Sequence, residues 1–257
     1  MPTTWLMPHA ARERLTLLPL AGRGLLEAIT EAGDRLITLD WDKNAPSLAQ
    51  VPLTLPGPVA VYGGHRFLDH LWHARPDLHR AIWWSPQAHS HQAVAARLGT
   101  HLLNAAAQPA TRADVRAAVA SGPIFVRPDA GNKACNGGVI STPEAADALP
   151  DIPLIMGAVF PITAEYRFII AQGRVVTGSQ YRRDGRIDIR IDTEPDCAAL
   201  AALAADLYSP LPLFTCDVAQ TPHGPRVVEY NSFSASGFYA CDGHAIVAAV
   251  HALSSPP

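Results

Sequence analysis

A chain of 257 residues with 48% hydrophobic and 17% charged residues has enough apolar surface to bury a core, which excludes disorder as its main state. Its 20 lysines and arginines against 23 acids leave a net charge of -3, too balanced to attract a nucleic-acid backbone, so a dedicated nucleic-acid binder is excluded as well. The apolar start at Trp5-Leu6-Met7 is interrupted by Pro8 and then by Arg12, Glu13 and Arg14 before an export signal can form. Helix 25–32 and strand 36–39 follow, then strand 59–62 after the Pro56-Gly57-Pro58 turn and helix 67–74. Residues 89–98 and 111–120 read as helices, the second with Thr111 as its cap, and 105–109 reads as a linker. This alternation is that of a small α/β domain.

From Pro123 the texture becomes strand-rich. Strands are expected at 124–127 and 139–141 across the loop 129–138, and at 154–160. A hairpin 166–171 and 174–180 turns at Gln172-Gly173, and a longer one, 213–219 and 226–231, turns at 221–225. Helices 198–207 and 243–253 complete the reading. Nowhere do about 18 uncharged apolar residues run together, so no membrane span is expected. Cys135, Cys197, Cys216 and Cys241 form no CxxC pair, which suits a reducing cytoplasm and points away from a disulfide framework or structural zinc. A homodimer is the default oligomer.

In the last hairpin the alternation of faces sends Val227, Glu229 and Asn231 one way and Arg226, Val228 and Tyr230 the other. Asp217, on the preceding strand, joins Glu229 and Asn231 if the register is favourable. Two carboxylates at ~4 Å repel by on the order of 4 kcal/mol at an effective dielectric of about 20, so such a cluster holds a cation or shares a proton. All-oxygen ligands point to magnesium, manganese or calcium. Three solvated positions on an exposed sheet face are the alternative. The loop Asp129 to Gly138, rich in glycine and carrying Lys133 after the strand-end Arg127, lets main-chain N–H groups approach a phosphate, although it is not a P-loop; a ligand-free hairpin loop is the other reading. Gly22-Arg23-Gly24 with Asp40 lacks the third glycine of a dinucleotide fingerprint. The histidines, His89 and His91 among them, read as scattered surface positions, and no nucleophilic hydrolase elbow is present.

Ile124-Phe125-Val126-Arg127-Pro128 with its glycine-rich loop, Glu165-Tyr166-Arg167-Phe168-Ile169-Ile170 with the Gly173 hairpin, and Asp217 followed by Glu229-Tyr230-Asn231 resemble, in order and spacing, the ATP-grasp superfamily of carboxylate-amine ligases. The resemblance covers roughly the last 150 residues. It implies a fold of mixed α/β and α+β class: a small α/β domain over 1–108, then an ATP-grasp region over 109–257 whose central subdomain ends near 160 and whose C-terminal subdomain begins near 161. Two subdomains would clamp ATP with Mg²⁺, or Mn²⁺ in its place.

On that resemblance Arg127, Lys133, Gly137 and Gly138 contact or cover phosphate, and Met156, Gly157, Ala158 and Val159 form the hinge whose main chain reads adenine. Glu165 matches the acidic position that holds ribose. Arg167 and Arg182 match the catalytic basic positions, and Asp217, Glu229 and Asn231 match the metal ligands. The superfamily's strand lysine is Arg127 here, an exchange found in an arginine-bearing subgroup, and a guanidinium forks onto phosphate oxygens just as well. The implied activity is ADP-forming ligation of a small-molecule or peptide carboxylate, through an acyl phosphate, to an amine, thiol or other nucleophile. Residues 232–239, with their small hydroxyls, are expected to contact the acceptor. A non-catalytic ATP-binding relative, acting as a sensor or partner module, is the competing reading.

Overall fold

A computed structural model describes residues 1–16, 24–131 and 134–254, so Gly22, Arg23, Lys133 and the last three residues lie outside the described residues. The chain opens with β1 (Thr4–Pro8), α1 (His9–Thr16), α2 (Leu25–Glu31), β2 (Arg35–Leu39), β3 (Val59–Val61) and α3 (His65–Ala74). The three strands form a parallel sheet in the order β2-β1-β3. The apolar start that reads from sequence as a failed export signal is the central strand of this sheet. Trp5, Leu6 and Met7 are fully buried because helices and neighbouring elements cover both faces, which replaces alternation by a continuous apolar run.

Next come α4 (His91–Leu98), β4 (Gln108–Ala110), α5 (Arg112–Ala118), β5 (Ile124–Pro128), β6 (Gly138–Ile140), α6 (Pro143–Asp147) and β7 (Leu154–Gly157). Helix α4 starts later than residue 89 because Ser90 caps it by accepting from the Ala93 N–H. Thr111 caps α5 in a reciprocal capping box with Asp114. Gln108 and Pro109, expected in a linker, instead form an edge strand, where a missing N–H is tolerated. The sheet is antiparallel in the order β4-β7-β5-β6. β7 stops at Gly157, short of the expected residue 160.

The remainder is β8 (Ala164–Ala171), β9 (Arg174–Arg183), β10 (Arg186–Arg190), α7 (Pro195–Leu207), β11 (Leu213–Thr221), β12 (Gly224–Ser232) and α8 (Gly243–Ser254). The five strands form an antiparallel sheet in the order β10-β9-β8-β11-β12. Gln172 and Gly173 both take positive φ, +50° and +73°, the pattern of a two-residue hairpin turn. Asp184 and Gly185, at +48° and +75°, repeat it and create β10, which the sequence reading overlooks.

A register shift between Asp217 and Val218 marks a bulge in the β11/β12 pair. It turns Val227 into the core beside Tyr230 and Phe168, so Val227 does not share the face of Glu229 as simple alternation predicts. One core unites Trp5, Met7 and Tyr62 of the first sheet region with Ile169, Leu213 and Phe233 of the five-stranded sheet. Helix α8 returns to α2, with His244 Nε2 2.6 Å from Glu31 and His251 Nε2 2.8 Å from Asp34. Among the described residues no helix is long and apolar enough to cross a membrane.

Candidate functional site

β8, β11 and β12 bring their polar side chains to one face of the five-stranded sheet. Glu165 and Arg167 are two residues apart on β8, and Asp217 sits opposite Arg167 on β8 and opposite Glu229 on β12. Asn231 Nδ2 donates to Glu229 Oε1 at 3.0 Å and approaches Asp217 Oδ2 at 3.5 Å. The three expected metal ligands therefore converge, and they are not solvated positions on an open face: Asp217 is 2% and Asn231 3% exposed.

Each carboxylate is neutralised by an arginine. Arg167 Nε donates to Asp217 Oδ1 at 2.7 Å and Nη2 to Oδ2 at 2.6 Å, while Nη1 donates to the Gly237 carbonyl at 2.8 Å. The guanidinium carbon lies 5.0 Å from the Tyr239 ring centroid and 5.7 Å from that of Tyr181, within cation–π range of two rings that stack on each other. Burial works against the Arg167 charge, but the adjoining Asp217 carboxylate more than offsets it and holds its pKa well above the ordinary value. Tyr239 keeps φ at +49°, a conformation a bulky side chain adopts only under constraint. Glu165 accepts from the Tyr181 hydroxyl at 2.6 Å and from Arg182 Nη1 at 3.1 Å. Burial, followed by the Asp217 and Glu165 charges, raises the Tyr181 pKa well above its usual value, so its hydroxyl remains a donor.

Arg127 reaches across from the four-stranded sheet: its Nη1 lies 2.7 Å from Glu229 Oε2, a direct polar bridge between β5 and β12. The glycine-rich loop folds back over this arginine. At Gly137 a Cβ would stand 3.0 Å from Arg127 Cβ, and Gly138 begins β6 opposite Val126. Across the sheet, Gly157 leaves room for Asn104, whose Oδ1 would be 2.6 Å from any Cβ added there. Met156 and Gly157 end β7; Ala158 and Val159 continue into the link to β8, with Val159 45% exposed. The residues expected to form a hinge thus occupy the crossing from one sheet to the other.

A family model of the ATP-grasp domain, the third family of its clade, matches residues 64–250. The chain belongs to this ATP-grasp family. A search of curated proteins finds no match. Among solved structures, D-cycloserine synthetase DcsG is similar at a TM-score of 0.62 with 15% identity, covering 98% of this chain and 100% of the other. D-alanine–D-alanine ligase from Bacillus anthracis gives 0.58 and 12%, covering 99% and 97%. The ATP-grasp ligase PsnB, complexed with minimal precursor, Mg and ADP, gives 0.56 and 14%, covering 98% and 97%. At these identities the likeness is one of fold.

Within this ATP-grasp chain the expected residues Arg127, Arg167, Asp217, Glu229 and Asn231 form one connected cluster, and Glu165 with Arg182 forms a second that Tyr181 and Tyr239 join to it. Two expectations need correcting. The hydroxyls of residues 232–239 are turned inward: Ser232 Oγ accepts from Ser85 N–H, Ser234 Oγ from Trp83 N–H, and Ser236 Oγ donates to the Ser232 carbonyl. They fasten the segment to the first domain's chain instead of facing an acceptor.

His89 and His91 are also not at the surface. Both are buried, and burial pushes the His89 pKa down to about 4. His89 Nδ1 bonds Ser232 Oγ at 3.0 Å. The sequence signal for this was present in the apolar positions of helix α4, where Val94 and Leu98 enter the core. Tyr181 and Tyr239 were missed altogether, since nothing local in sequence shows that a strand tyrosine and a loop tyrosine stack over Arg167. The four cysteines are free thiols whose pKa values burial raises, leaving none activated as a nucleophile.

The cluster fits a hard divalent cation. Its donors are all oxygens, and Asn231 Oδ1 is buried with no hydrogen-bond partner among the described residues, an acceptor lacking the positive group that would satisfy it. Among the described residues no group of three His, Cys, Asp or Glu side chains gathers, in keeping with an amide as the third ligand and with the absence of a zinc-like set.

Proposed function

We propose that the chain is an ATP-dependent, ADP-forming ligase: a substrate carboxylate oxygen attacks the γ-phosphorus of ATP, ADP leaves, and the resulting acyl phosphate is attacked at carbon by an amine or another nucleophile, which loses a proton as phosphate departs. The observation that carries this reading is the convergence of Asp217, Glu229 and Asn231 with Arg127 arriving from the opposite sheet. Such an arrangement suits a cation facing a phosphate-binding arginine. Family membership supports the reading, as do the ligase structures that share the fold. PsnB holds Mg and ADP.

Asp217, Glu229 and Asn231 would hold Mg²⁺, with Mn²⁺ an acceptable replacement, and the bound cation would supply charge neutralisation on the phosphates. Arg127 would bind phosphate oxygens under the loop that ends in Gly137 and Gly138, with Lys133 assigned to the same task. Main-chain groups of Met156, Gly157, Ala158 and Val159 would read adenine, and Glu165, steadied by Tyr181, would hold ribose. Arg167 would stabilise the acyl phosphate, and Arg182 would orient the carboxylate. Closing the loop over the site would keep water from the acyl phosphate. Catalysis of this kind is mostly positioning and electrostatics, which a rigid, buried charge network supplies.

The test is ADP release across a panel of amino acid, hydroxy acid and peptide carboxylates with and without amines, after a thermal-shift measurement with ATP and Mg²⁺. Carboxylate-dependent ADP release supports ligation. Stabilisation by ATP and Mg²⁺ with no ADP from any carboxylate would instead indicate a binding module.

A further inference from the structure

The carboxylate that should receive a cation already holds one. Arg127 Nη1 sits 2.7 Å from Glu229 Oε2, and the pair is largely shielded from water. Arg127 has little else to keep it there: its Nε reaches only its neighbour's carbonyl, Pro128, at 3.3 Å. Arg167 is different. Besides Asp217 it donates to the Gly237 carbonyl and is flanked by two tyrosine rings, so it is fixed in place.

We propose that Arg127 is a resident counter-cation on Glu229, and that a divalent cation enters this site only when nucleotide phosphates draw the guanidinium away. The proposal rests on the ATP-dependent reading above and adds an order to it. A cation arriving alone meets two guanidinium charges and finds oxygens of both carboxylates engaged. A cation arriving with a triphosphate brings an anion whose oxygens match the guanidinium fork as well as a carboxylate does. Arg127 then changes partner from Glu229 to phosphate without losing its ion pair, and the released Glu229 oxygen joins Asn231 Oδ1, which is already without a partner. Breaking a shielded ion pair with no replacement is unfavourable, so the exchange couples the two ligands.

Mn²⁺ binding followed by electron paramagnetic resonance, with a non-hydrolysable ATP analogue as the second ligand, tests this without turnover. Wild type should leave Mn²⁺ alone essentially free and bind it with the analogue present. Arg127→Gln, which removes the charge, should bind Mn²⁺ alone about tenfold or more tighter than wild type, and Arg127→Lys, which keeps it, should resemble wild type. Circular dichroism checks that both variants fold. If Arg127→Gln does not, the wild-type comparison decides the matter: Mn²⁺ affinity that is the same with and without the analogue contradicts the proposal. So does Mn²⁺ affinity in a folded Arg127→Gln no greater than wild type. Failure of wild type to bind the analogue under any condition would overturn the ATP-dependent reading itself, a separate result.

Discussion

Arg167 and Asp217 face each other on adjacent strands and close a two-pronged ion pair, 2.7 and 2.6 Å, with side chains 4% and 2% exposed. The pair joins the floor of the site to the fold, because neither charge can be removed without stranding the other.

Asp217→Asn is therefore expected to destabilise as well as inactivate. It leaves a buried guanidinium without its counter-charge, at a cost of about 3–5 kcal/mol. Urea unfolding measures it. A loss below about 1 kcal/mol would mean that Arg167 finds water or another acceptor, and that the pair does not anchor the site.

Tyr181→Phe removes the hydroxyl that holds Glu165 Oε2 while keeping the ring stacked on Tyr239. If Glu165 holds ribose, the lost positioning should raise KM for ATP by about tenfold and change kcat by less than about threefold. A fall in kcat with KM unchanged would place Glu165 at the chemical step instead.

How much of this was legible in sequence depends on whether a signal was local. Strand alternation put Glu229 and Asn231 on one face, and the register with Asp217 came out as the hairpin required. Thr111 announced its helix because capping is a matter of four consecutive residues. The bulge that turns Val227 inward was invisible, since an extra residue in a ladder is decided by the partner strand. β1 was missed for a related reason: burial on both faces erases the period-two pattern by which strands are recognised. The serines after Asn231 looked free because the groups that occupy them, the N–H of Trp83 and Ser85, lie about 150 residues away in the chain. The Arg–carboxylate pairs had no sequence signature of their own.

His89 gives stability a pH dependence. Its folded pKa is lowered by burial to about 4 from the ordinary 6.5, so the unfolded chain binds more protons between those values. Its contribution is fully present above about pH 6.5 and is lost as pH falls toward 4, by about 3 kcal/mol in all. Burial lowers the His91 pKa too, and adds in the same direction. His89→Asn should flatten the decline in melting temperature between pH 6.5 and pH 4. An unchanged slope would assign the acid sensitivity to other groups.

The most direct measurement of the central claim is carboxylate-dependent ADP release by wild type and by Glu229→Gln. Glutamine keeps the shape and the Asn231 contact but removes the charge that would bind the cation, so the fold should persist while ADP release drops by about a hundredfold or more. Equal turnover in the two proteins would contradict a cation held by Glu229 beside Asp217 and Asn231.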